Sequence, residues 1–242
     1  MYSWSADSIR FMKDASERLP FNRILAEHAA AYFEPGGTVM EGGCGLGYLS
    51  MELAGLGYSV TAADTSEEAL AVLRDNSIKQ GYGPSVLEGN VFDLLEELVF
   101  DYGVFCFFGG TEELIRCIKK HCKKGAVLFK KNWNIHRFTL QESGFQRFTY
   151  PETLRELEEM GIPCRTEVFP LDMGQPFRSA EDAVLFFKLH ARNGEPVTEE
   201  KVLDRLTETE DPEFPYYLPA ERPVGLIYVS AGDIPDMTDR GT

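Results

Sequence analysis

The sequence predicts an α/β fold in which helices cover both faces of a mostly parallel sheet. From Glu34 onward, short apolar runs suited to strands alternate with amphipathic runs suited to helices, and this alternation is typical of a parallel sheet. Two of the predicted strands, at residues 38–41 and 59–64, end in an acidic residue. Ligands of such sheets bind beyond the carboxyl ends of the strands. We therefore expect the functional site at that edge.

The seven predicted strands cover residues 38–41, 59–64, 85–87, 102–107, 126–130, 165–170 and 224–230. Predicted helices cover residues 1–33 with a break at Pro20, the segment after Gly47, and residues 67–80, 112–121, 151–160, 180–187 and 198–206. Ser66 and Thr111 are predicted N-caps, and Gly81 is a predicted C-cap. The proline-rich stretch 212–223 is predicted to be extended and to belong to no regular element.

The length of 242 residues fits one domain. We expect a single domain over residues 1–242. It begins with a helical segment (1–33) and a core (34–170). A helical and extended insertion (171–222) and a closing strand (223–231) complete it.

The formal net charge of −15 argues against a nucleic-acid partner, which selects for a basic face. The one basic cluster, six lysines between residues 119 and 131, is expected to be solvated surface. No apolar stretch reaches the roughly 20 residues of a membrane helix, and the first residues do not form a signal peptide. We expect a cytoplasmic protein with no membrane partner. The five cysteines form no Cys-x-x-Cys pair, so we expect reduced thiols and no bound metal.

The first strand is followed by a loop with glycine at positions 42, 43, 45 and 47. Glycines at such a turn tolerate positive φ and let a ligand approach the backbone. The helix that follows offers N–H groups to the same ligand. Glu41 adds a negative charge just before the loop, which suits a cationic ligand group better than a phosphate.

The pattern Glu-x-Gly-x-Gly-x-Gly, from Glu41 to Gly47, together with Asp64 resembles the class I S-adenosylmethionine-dependent methyltransferases. Asp64 follows Gly47 by 17 residues, close to the spacing of about 20 at which dinucleotide-binding folds place a ribose-binding acid. The resemblance covers residues 38–131. It implies a Rossmann-like three-layer sandwich whose seven-stranded, mostly parallel sheet has an antiparallel last strand. It also implies S-adenosyl-L-methionine as cofactor and S-adenosyl-L-homocysteine as product.

The resemblance further implies a role for each residue at the sheet edge. Glu41 and the glycines would hold the methionine portion, and Asp64 would bind both ribose hydroxyls. Asn90, where many relatives have Asp, would recognise adenine with the Val91 backbone, since an amide can donate and accept. Phe107 and its neighbours would line the sulfonium. The predicted cofactor-binding residues are thus Glu41, Gly42, Gly43, Gly45, Gly47, Asp64, Thr65, Asn90, Val91, Phe107 and Phe108.

Five further residues are candidates for contact with the methyl acceptor. Trp133, His136 and Arg137 lie in a polar and aromatic loop after the fifth strand. Tyr2 and Trp4 lie in an N-terminal segment of the kind that often folds over the cofactor in this family. The alternatives are aromatic packing on the core and an ordinary surface loop. The family's chemistry needs no fixed catalytic residue, and the sequence identifies no general base.

The expected function is methyl transfer from S-adenosylmethionine to an acceptor, which we expect to be a small molecule. The Asn-Pro-Pro-Tyr motif of base-methylating relatives does not occur after the fourth strand. One alternative is an NAD(P)-dependent oxidoreductase, but its Gly-x-Gly-x-x-Gly fingerprint would place Tyr48 or Ser50 at the third glycine. A second alternative is a non-catalytic cofactor-sensing or partner-binding domain with the same fold. The sequence does not indicate an oligomeric state.

Overall fold

The computed structural model describes residues 4–136, 138–140, 144–145, 147–192 and 194–236. Its main sheet has seven strands in the order β3-β2-β1-β4-β5-β10-β6. These strands are β1 (Thr38–Gly42), β2 (Ser59–Asp64), β3 (Ser85–Glu88), β4 (Phe100–Cys106), β5 (Cys122–Lys131), β6 (Arg165–Asp172) and β10 (Glu221–Ser230). The first five strands pair in parallel, and β10 runs antiparallel between β5 and β6. The predicted α/β fold with an antiparallel last strand is confirmed.

The helices are α1 (Ala6–Arg18), α2 (Phe21–Ala30), α3 (Tyr48–Gly55), α4 (Glu67–Gln80), α5 (Thr111–His121), α6 (Tyr150–Glu159), α7 (Ala180–His190) and α8 (Glu199–Leu203). As predicted, the Ser66 hydroxyl caps α4, and Gly81 ends it in the left-handed region. The predicted cap Thr111 is wrong, because Gly110 is the N-cap of α5 and Thr111 is its first helical residue.

Two apolar clusters lie on opposite faces of the main sheet. On one face, α2 and α3 pack against alternate residues of the central strands, such as Val104 and Phe129. On the other face, α5 and α6 pack against the intervening residues, such as Phe105 and Leu128. Side chains along a strand alternate between faces. The unbroken apolar run of β4 is thereby buried on both sides, as expected of a central parallel strand.

The insertion before β10 contains a second, three-stranded antiparallel sheet. Its strands are β7 (Gln175–Phe177), β8 (Thr207–Glu208) and β9 (Tyr216–Leu218), in the order β7-β9-β8. The prediction that residues 212–223 belong to no regular element is therefore wrong. Strand β9 pairs with both neighbours, and β10 begins at Glu221, where it pairs with Asp172 of β6. The pairings of β9 with β7 and of β10 with β6 join segments that are distant in sequence, so the local proline content does not reveal them.

The insertion has an apolar cluster of its own. Phe186 and Phe187 of α7, Val202 of α8 and Leu218 of β9 are buried together with Phe11 of α1. The first helix of the chain thus packs on the insertion as well as on the core.

The six lysines between residues 119 and 131 do not form one solvated patch. Lys130 is fully buried, which corrects the expectation for this residue. Lys119, Lys120 and Lys124 each pair with an acidic side chain. Among the described residues, none of the helices has the length and apolarity needed to span a membrane.

Candidate functional site

The two predicted acids lie at the carboxyl ends of neighbouring strands. β1 pairs with β2 so that Glu41 faces Ala62 and Gly42 faces Ala63. Asp64, the next residue of β2, extends its carboxylate to the glycine loop, where its Oδ2 accepts a hydrogen bond from the Gly45 backbone N–H at 2.8 Å. Glu41 and Asp64 are therefore brought together around one loop.

Glu41 is almost completely buried, with 2% of its surface exposed. Its carboxylate accepts a hydrogen bond from the Ser50 hydroxyl in α3. Burial is the main cause that raises the pKa of Glu41 from 4.5 to about 8, and the nearby Asp64 carboxylate raises it further, against the Ser50 hydrogen bond. A carboxyl group held in this way has a strong preference for a cationic neighbour.

The backbone of the glycine loop adopts a conformation that is strained for any residue with a Cβ atom. Gly43 and Gly47 have φ values of +70° and +73°, in the left-handed region that favours glycine. A Cβ on Gly43 would lie 2.5 Å from the Phe108 ring, and one on Gly47 would lie 2.4 Å from Leu73. The loop is therefore closely packed, and its backbone is presented to the space above it.

The β4 end of the site is held by a buried lysine. Lys130 donates hydrogen bonds to the carbonyl oxygens of Phe108 at 3.1 Å and Gly109 at 2.9 Å. Phe107, directly after β4, has a φ of 53°, which is unusual for a bulky residue and is sustained only by surrounding contacts. Burial lowers the pKa of Lys130 to about 8. This lysine fixes the loop that carries the predicted sulfonium-lining residues.

Asn90 already has partners in its own turn. Its side-chain oxygen accepts from the Phe92 N–H at 3.2 Å, and its amide donates to Asp93 at 2.7 Å. Asn90 is exposed at the end of β3, whereas Val91 is buried. Thr65 is exposed directly after Asp64. The adenine-recognising role of Asn90 stays a prediction, and it does not require these bonds to break, because an amide nitrogen has two hydrogens and an amide oxygen two lone pairs.

A cavity of about 260 Å³ lies above the glycine loop. Its floor is formed by Glu41, residues 43–49 and residues 106–107. Its roof is formed by α1 and α2 and by parts of the insertion, including residues 173–175. The first segment of the chain and the insertion thus close the cavity over the core.

Of the five residues predicted to contact the methyl acceptor, the structure places some in or near the cavity and others away from it. Trp4 lines the cavity, and its ring lies over the loop so that a Cβ on Gly45 would approach it to 3.0 Å. Trp133 packs edge-on against Phe107, with ring centroids 5.8 Å apart. His136 packs on Phe145 and is not among the lining residues. Tyr2 and Arg137 lie outside the described residues.

Several cavity residues were not predicted from the sequence, among them Phe11, Phe138, Phe186 and His190. They come from α1, from the segment after β5 and from α7. No local motif marks them. The only signal is indirect: amphipathic helices flank the core on either side of the sequence, and one of them ends in histidine.

The comparisons with known proteins agree with this geometry. Residues 40–129 match the family model described as a methyltransferase domain. This stretch runs from the end of β1 through β5 and includes the glycine loop and Asp64. This match supports the resemblance to the class I S-adenosylmethionine-dependent methyltransferases. S-adenosylmethionine is therefore the cofactor that the family implies.

Two curated relatives are ubiquinone biosynthesis O-methyltransferases. The protein from Caulobacter vibrioides is 28% identical over 131 residues, which are 52% of this chain and 47% of that protein. The protein from Xanthomonas axonopodis pv. citri is 38% identical over 120 residues, 47% of this chain and 50% of that protein. The chain spans about half the length of the curated relatives it matches.

Solved structures share the fold of this methyltransferase domain and its flanks. A proposed methyltransferase from Bacillus halodurans aligns with a TM-score of 0.54 at 14% identity, over 87% of this chain and 98% of that one. A precorrin-6Y C5,15-methyltransferase from Geobacter metallireducens aligns with a TM-score of 0.52 at 15% identity, over 86% and 87% of the two chains. At these identities the likeness concerns the fold alone.

The donor set of the site fits S-adenosylmethionine. The cofactor carries an ammonium and a sulfonium, and the buried Glu41 carboxyl lines the same cavity as the glycine backbone. Asp64 retains acceptor capacity for a ribose, because an ionised carboxylate offers about four lone-pair sites and two backbone N–H groups, of Gly45 and Ser66, use only two. The residues present are therefore suited to the cofactor.

Proposed function

We propose that the protein transfers a methyl group from S-adenosylmethionine to a small-molecule acceptor. The observation that carries this proposal is the arrangement of Glu41 and Asp64 around one glycine loop that lines a cavity. Bound S-adenosylmethionine supplies a methyl group on a positively charged sulfur. The protein's part is to hold donor and acceptor in line and to exclude water, and positioning of this kind can lower a barrier by about 7–11 kcal/mol.

The proposed residue roles follow the resemblance and the contacts above. Glu41 attracts the ammonium of the methionine portion, and the loop backbone lies against it. Asp64 both orders the loop through Gly45 and offers oxygens to the ribose. Lys130 holds the segment after β4 through the carbonyl oxygens of Phe108 and Gly109, and Phe107 and Phe108 in this segment would line the sulfonium.

A small acceptor is favoured by the size of the cavity, at about 260 Å³. The curated relatives are O-methyltransferases, which supports a hydroxyl as the methylated group. A nucleic-acid acceptor is disfavoured by the net charge of −15 and by the dispersed, paired lysines. The five free thiols favour the reducing cytoplasm as the compartment.

The oxidoreductase alternative is not supported, because the third glycine of the Gly-x-Gly-x-x-Gly fingerprint is replaced by Tyr48 or Ser50. In the structure, Tyr48 and Ser50 lie in the first turn of α3, and the Ser50 hydroxyl is bonded to Glu41. A carboxylate buried at this point would repel a pyrophosphate. The non-catalytic alternative is separated from the proposed function by measuring turnover.

The test is calorimetric binding of S-adenosylhomocysteine, with NADH as the competing ligand, followed by incubation with methyl-labelled S-adenosylmethionine and a small-molecule extract. We expect S-adenosylhomocysteine to bind, NADH not to bind, and label to appear in an extract compound. Binding without any labelled product would support the non-catalytic alternative. Binding of NADH alone would overturn the cofactor assignment.

A further inference from the structure

One uncharged polar side chain is buried in the roof of the cavity. Gln175, the first residue of β7, has 4% of its surface exposed and lines the cavity. It lies in the roof, across the cavity from the glycine loop on which the cofactor is proposed to rest. Buried polar groups in proteins nearly always have hydrogen-bond partners. The partners of the Gln175 amide therefore indicate what the roof can bind.

The orientation of the Gln175 amide is fixed by its nitrogen. Nε2 lies 3.0 Å from the carbonyl oxygen of Phe11 and 3.1 Å from that of Pro176. Carbonyl oxygens can only accept, so the amide nitrogen must occupy this side, and the two bonds use both of its hydrogens. The side chain therefore has no hydrogen to donate to a ligand.

The amide oxygen of Gln175 is left for a ligand. The two hydrogen bonds of this side chain are those of Nε2, and no residue that the structure describes donates to Oε1. Oε1 is also not one of the sealed side-chain atoms that lack a partner, so it is accessible from the cavity. A molecule that covered this oxygen without donating to it would leave a buried acceptor unsatisfied, which is costly. The roof therefore favours a ligand with a hydrogen-bond donor.

The rest of the acceptor side is apolar and offers no positive charge. Phe11, Met12 and Phe186 line the cavity, and the rings of Phe11 and Phe186 meet edge-to-face with centroids 5.1 Å apart. Within the described part of the chain, the cavity lining contains no lysine or arginine, and Glu41 adds a carboxyl. An anion would have to be buried here without a cation, which is unfavourable. An apolar body gains from the same burial.

We propose that Gln175 determines the specificity for the methyl acceptor: Oε1 accepts a hydrogen bond from a hydroxyl or N–H group of an uncharged molecule whose apolar body lies against Phe11 and Phe186. This inference rests on the function proposed above and adds to it the substrate class and the residue that selects it. A carboxylate or phosphate has no hydrogen to donate and is repelled by the lone pairs of Oε1. A site with a buried group that must be paired discriminates strongly against analogues that lack the partner.

The test measures the binding of three single-ring probes to the complex with S-adenosylhomocysteine, by ligand-observed NMR titration. The hydroxyl of p-cresol can donate a hydrogen bond. 4-Fluorotoluene has a fluorine in place of that hydroxyl and cannot donate. 4-Hydroxybenzoate keeps the hydroxyl, but a carboxylate replaces the methyl group. We expect wild type to bind p-cresol at least about fivefold more tightly than either of the other two probes, as one net hydrogen bond provides.

Gln175→Met removes the acceptor oxygen at a similar side-chain length. It should weaken the binding of p-cresol by about fivefold or more and change that of 4-fluorotoluene by less than about twofold. The variant also removes the bond from the insertion to Phe11 of α1. Arg178→Ala is the matched control, because it removes another bond between the insertion and α1, that of Arg178 to Asp14, and Arg178 does not line the cavity. It should change the affinities for both neutral probes by the same factor.

Gln175→Lys gives a readout that a loosened roof cannot imitate. The ammonium of the new side chain can still donate to the carbonyl oxygens of Phe11 and Pro176, but it offers no acceptor and adds a positive charge. We therefore expect the preference to reverse, with 4-hydroxybenzoate bound at least about fivefold more tightly than p-cresol.

Failures of the two proposals are distinguishable. If S-adenosylhomocysteine does not bind to wild type, the proposed function itself fails, and this inference fails with it. If it binds but wild type does not prefer p-cresol to the other two probes, only the substrate class is overturned. A Gln175→Met variant that keeps the wild-type preference, or a Gln175→Lys variant that does not favour the anion, would overturn the role of Gln175. A loss of S-adenosylhomocysteine affinity in Gln175→Met with unchanged probe preference would also overturn it, since Oε1 would then bind the cofactor.

Discussion

Glu41 links the chemistry of the site to pH at the level of a single residue. Its pKa is raised from 4.5 to about 8, mainly by burial, so the free protein holds it protonated below that value. A cationic cofactor favours the ionised form, so binding below about pH 8 must release a proton. We expect the affinity for S-adenosylhomocysteine to rise by up to about tenfold per pH unit between pH 6 and 8 and then to level off. Calorimetry in buffers of different ionisation enthalpy measures both the affinity and the proton release.

The matched control for this prediction is Glu41→Gln, which should bind more weakly and without the pH dependence. The ionisation of Glu41 has the opposite effect on the stability of the fold: it favours cofactor binding but destabilises the folded protein. An acid whose folded pKa lies above its unfolded value is destabilising once ionised, so its cost grows as the pH rises from 4.5 to about 8. Glu41→Gln should therefore raise Tm more at pH 8 than at pH 5. A wild-type affinity that is flat across this range would contradict the assignment of Glu41.

Asp64 carries a second prediction at the residue scale. Its two oxygens accept from the backbone N–H groups of Gly45 at 2.8 Å and Ser66 at 3.0 Å. Asp64→Ala removes these acceptors together with the proposed ribose contact, and we expect binding to weaken by about 1–3 kcal/mol. Asp75→Ala, on the exposed side of α4, is the control. Equal affinities of Asp64→Ala and wild type would show that the acid is misassigned.

At the scale of helices and strands, the sequence correctly predicts those elements whose bounds are determined by neighbouring residues. The bounds of β2 match the prediction, and α4 begins and ends where Ser66 and Gly81 place it, because a cap and a left-handed glycine act on their neighbours alone. Strand β9 was missed because one of its partners, β7, lies far from it in sequence, and the other, β8, is a strand of only two residues. Proline content suggested irregular structure there, and tertiary pairing prevailed.

The same distinction holds for the site. Glu41, the glycine loop and Asp64 could be predicted, since strand, turn and helix start are contiguous and have a characteristic spacing. The cavity roof could not, because it is assembled from helices at opposite ends of the chain. Phe11 and His190 meet in one cavity only after the sheet, with its order of strands, has formed between them.

An ion pair joins these two distant helices. Arg10 of α1 donates two hydrogen bonds to Asp182 of α7, each at 2.9 Å. Both side chains are partly shielded, with 35% and 22% of their surface exposed. We expect Arg10→Ala to destabilise the protein by about 1 kcal/mol, the upper range for such pairs, and to speed amide hydrogen exchange in α1. Arg23→Ala is the control, since Arg23 pairs with Glu27 within α2 and is 70% exposed. Similar amide hydrogen exchange of α1 in both variants would argue against coupling of α1 to α7 through the Arg10–Asp182 ion pair.

At the scale of the whole molecule, α1 and the insertion form one roof over the parallel core. Beyond the Arg10 pair, Arg178 donates to Asp14 at 2.6 Å, and the Gln175 amide donates to the Phe11 carbonyl at 3.0 Å. The cavity is lined by α1 and the insertion on one side and by the glycine loop on the other, and it is partly open to solvent. A ligand in the cavity would lie against this roof, so the surroundings of the roof residues should report on occupancy.

Trp4 provides an optical probe of these surroundings. The chain has two tryptophans, Trp4 and Trp133, so Trp133→Phe leaves the emission of Trp4 alone. A Cβ at Gly45 would lie 3.0 Å from the Trp4 ring, so the ring covers the loop that the cofactor is proposed to contact. In Trp133→Phe we expect S-adenosylhomocysteine to shift the Trp4 emission, with the same Kd as calorimetry gives. Addition of Arg10→Ala should speed the change in stopped-flow mixing, since the roof is then tied less tightly to α7. An emission that stays constant while calorimetry reports binding would mean that the ligand enters without displacing the segment around Trp4.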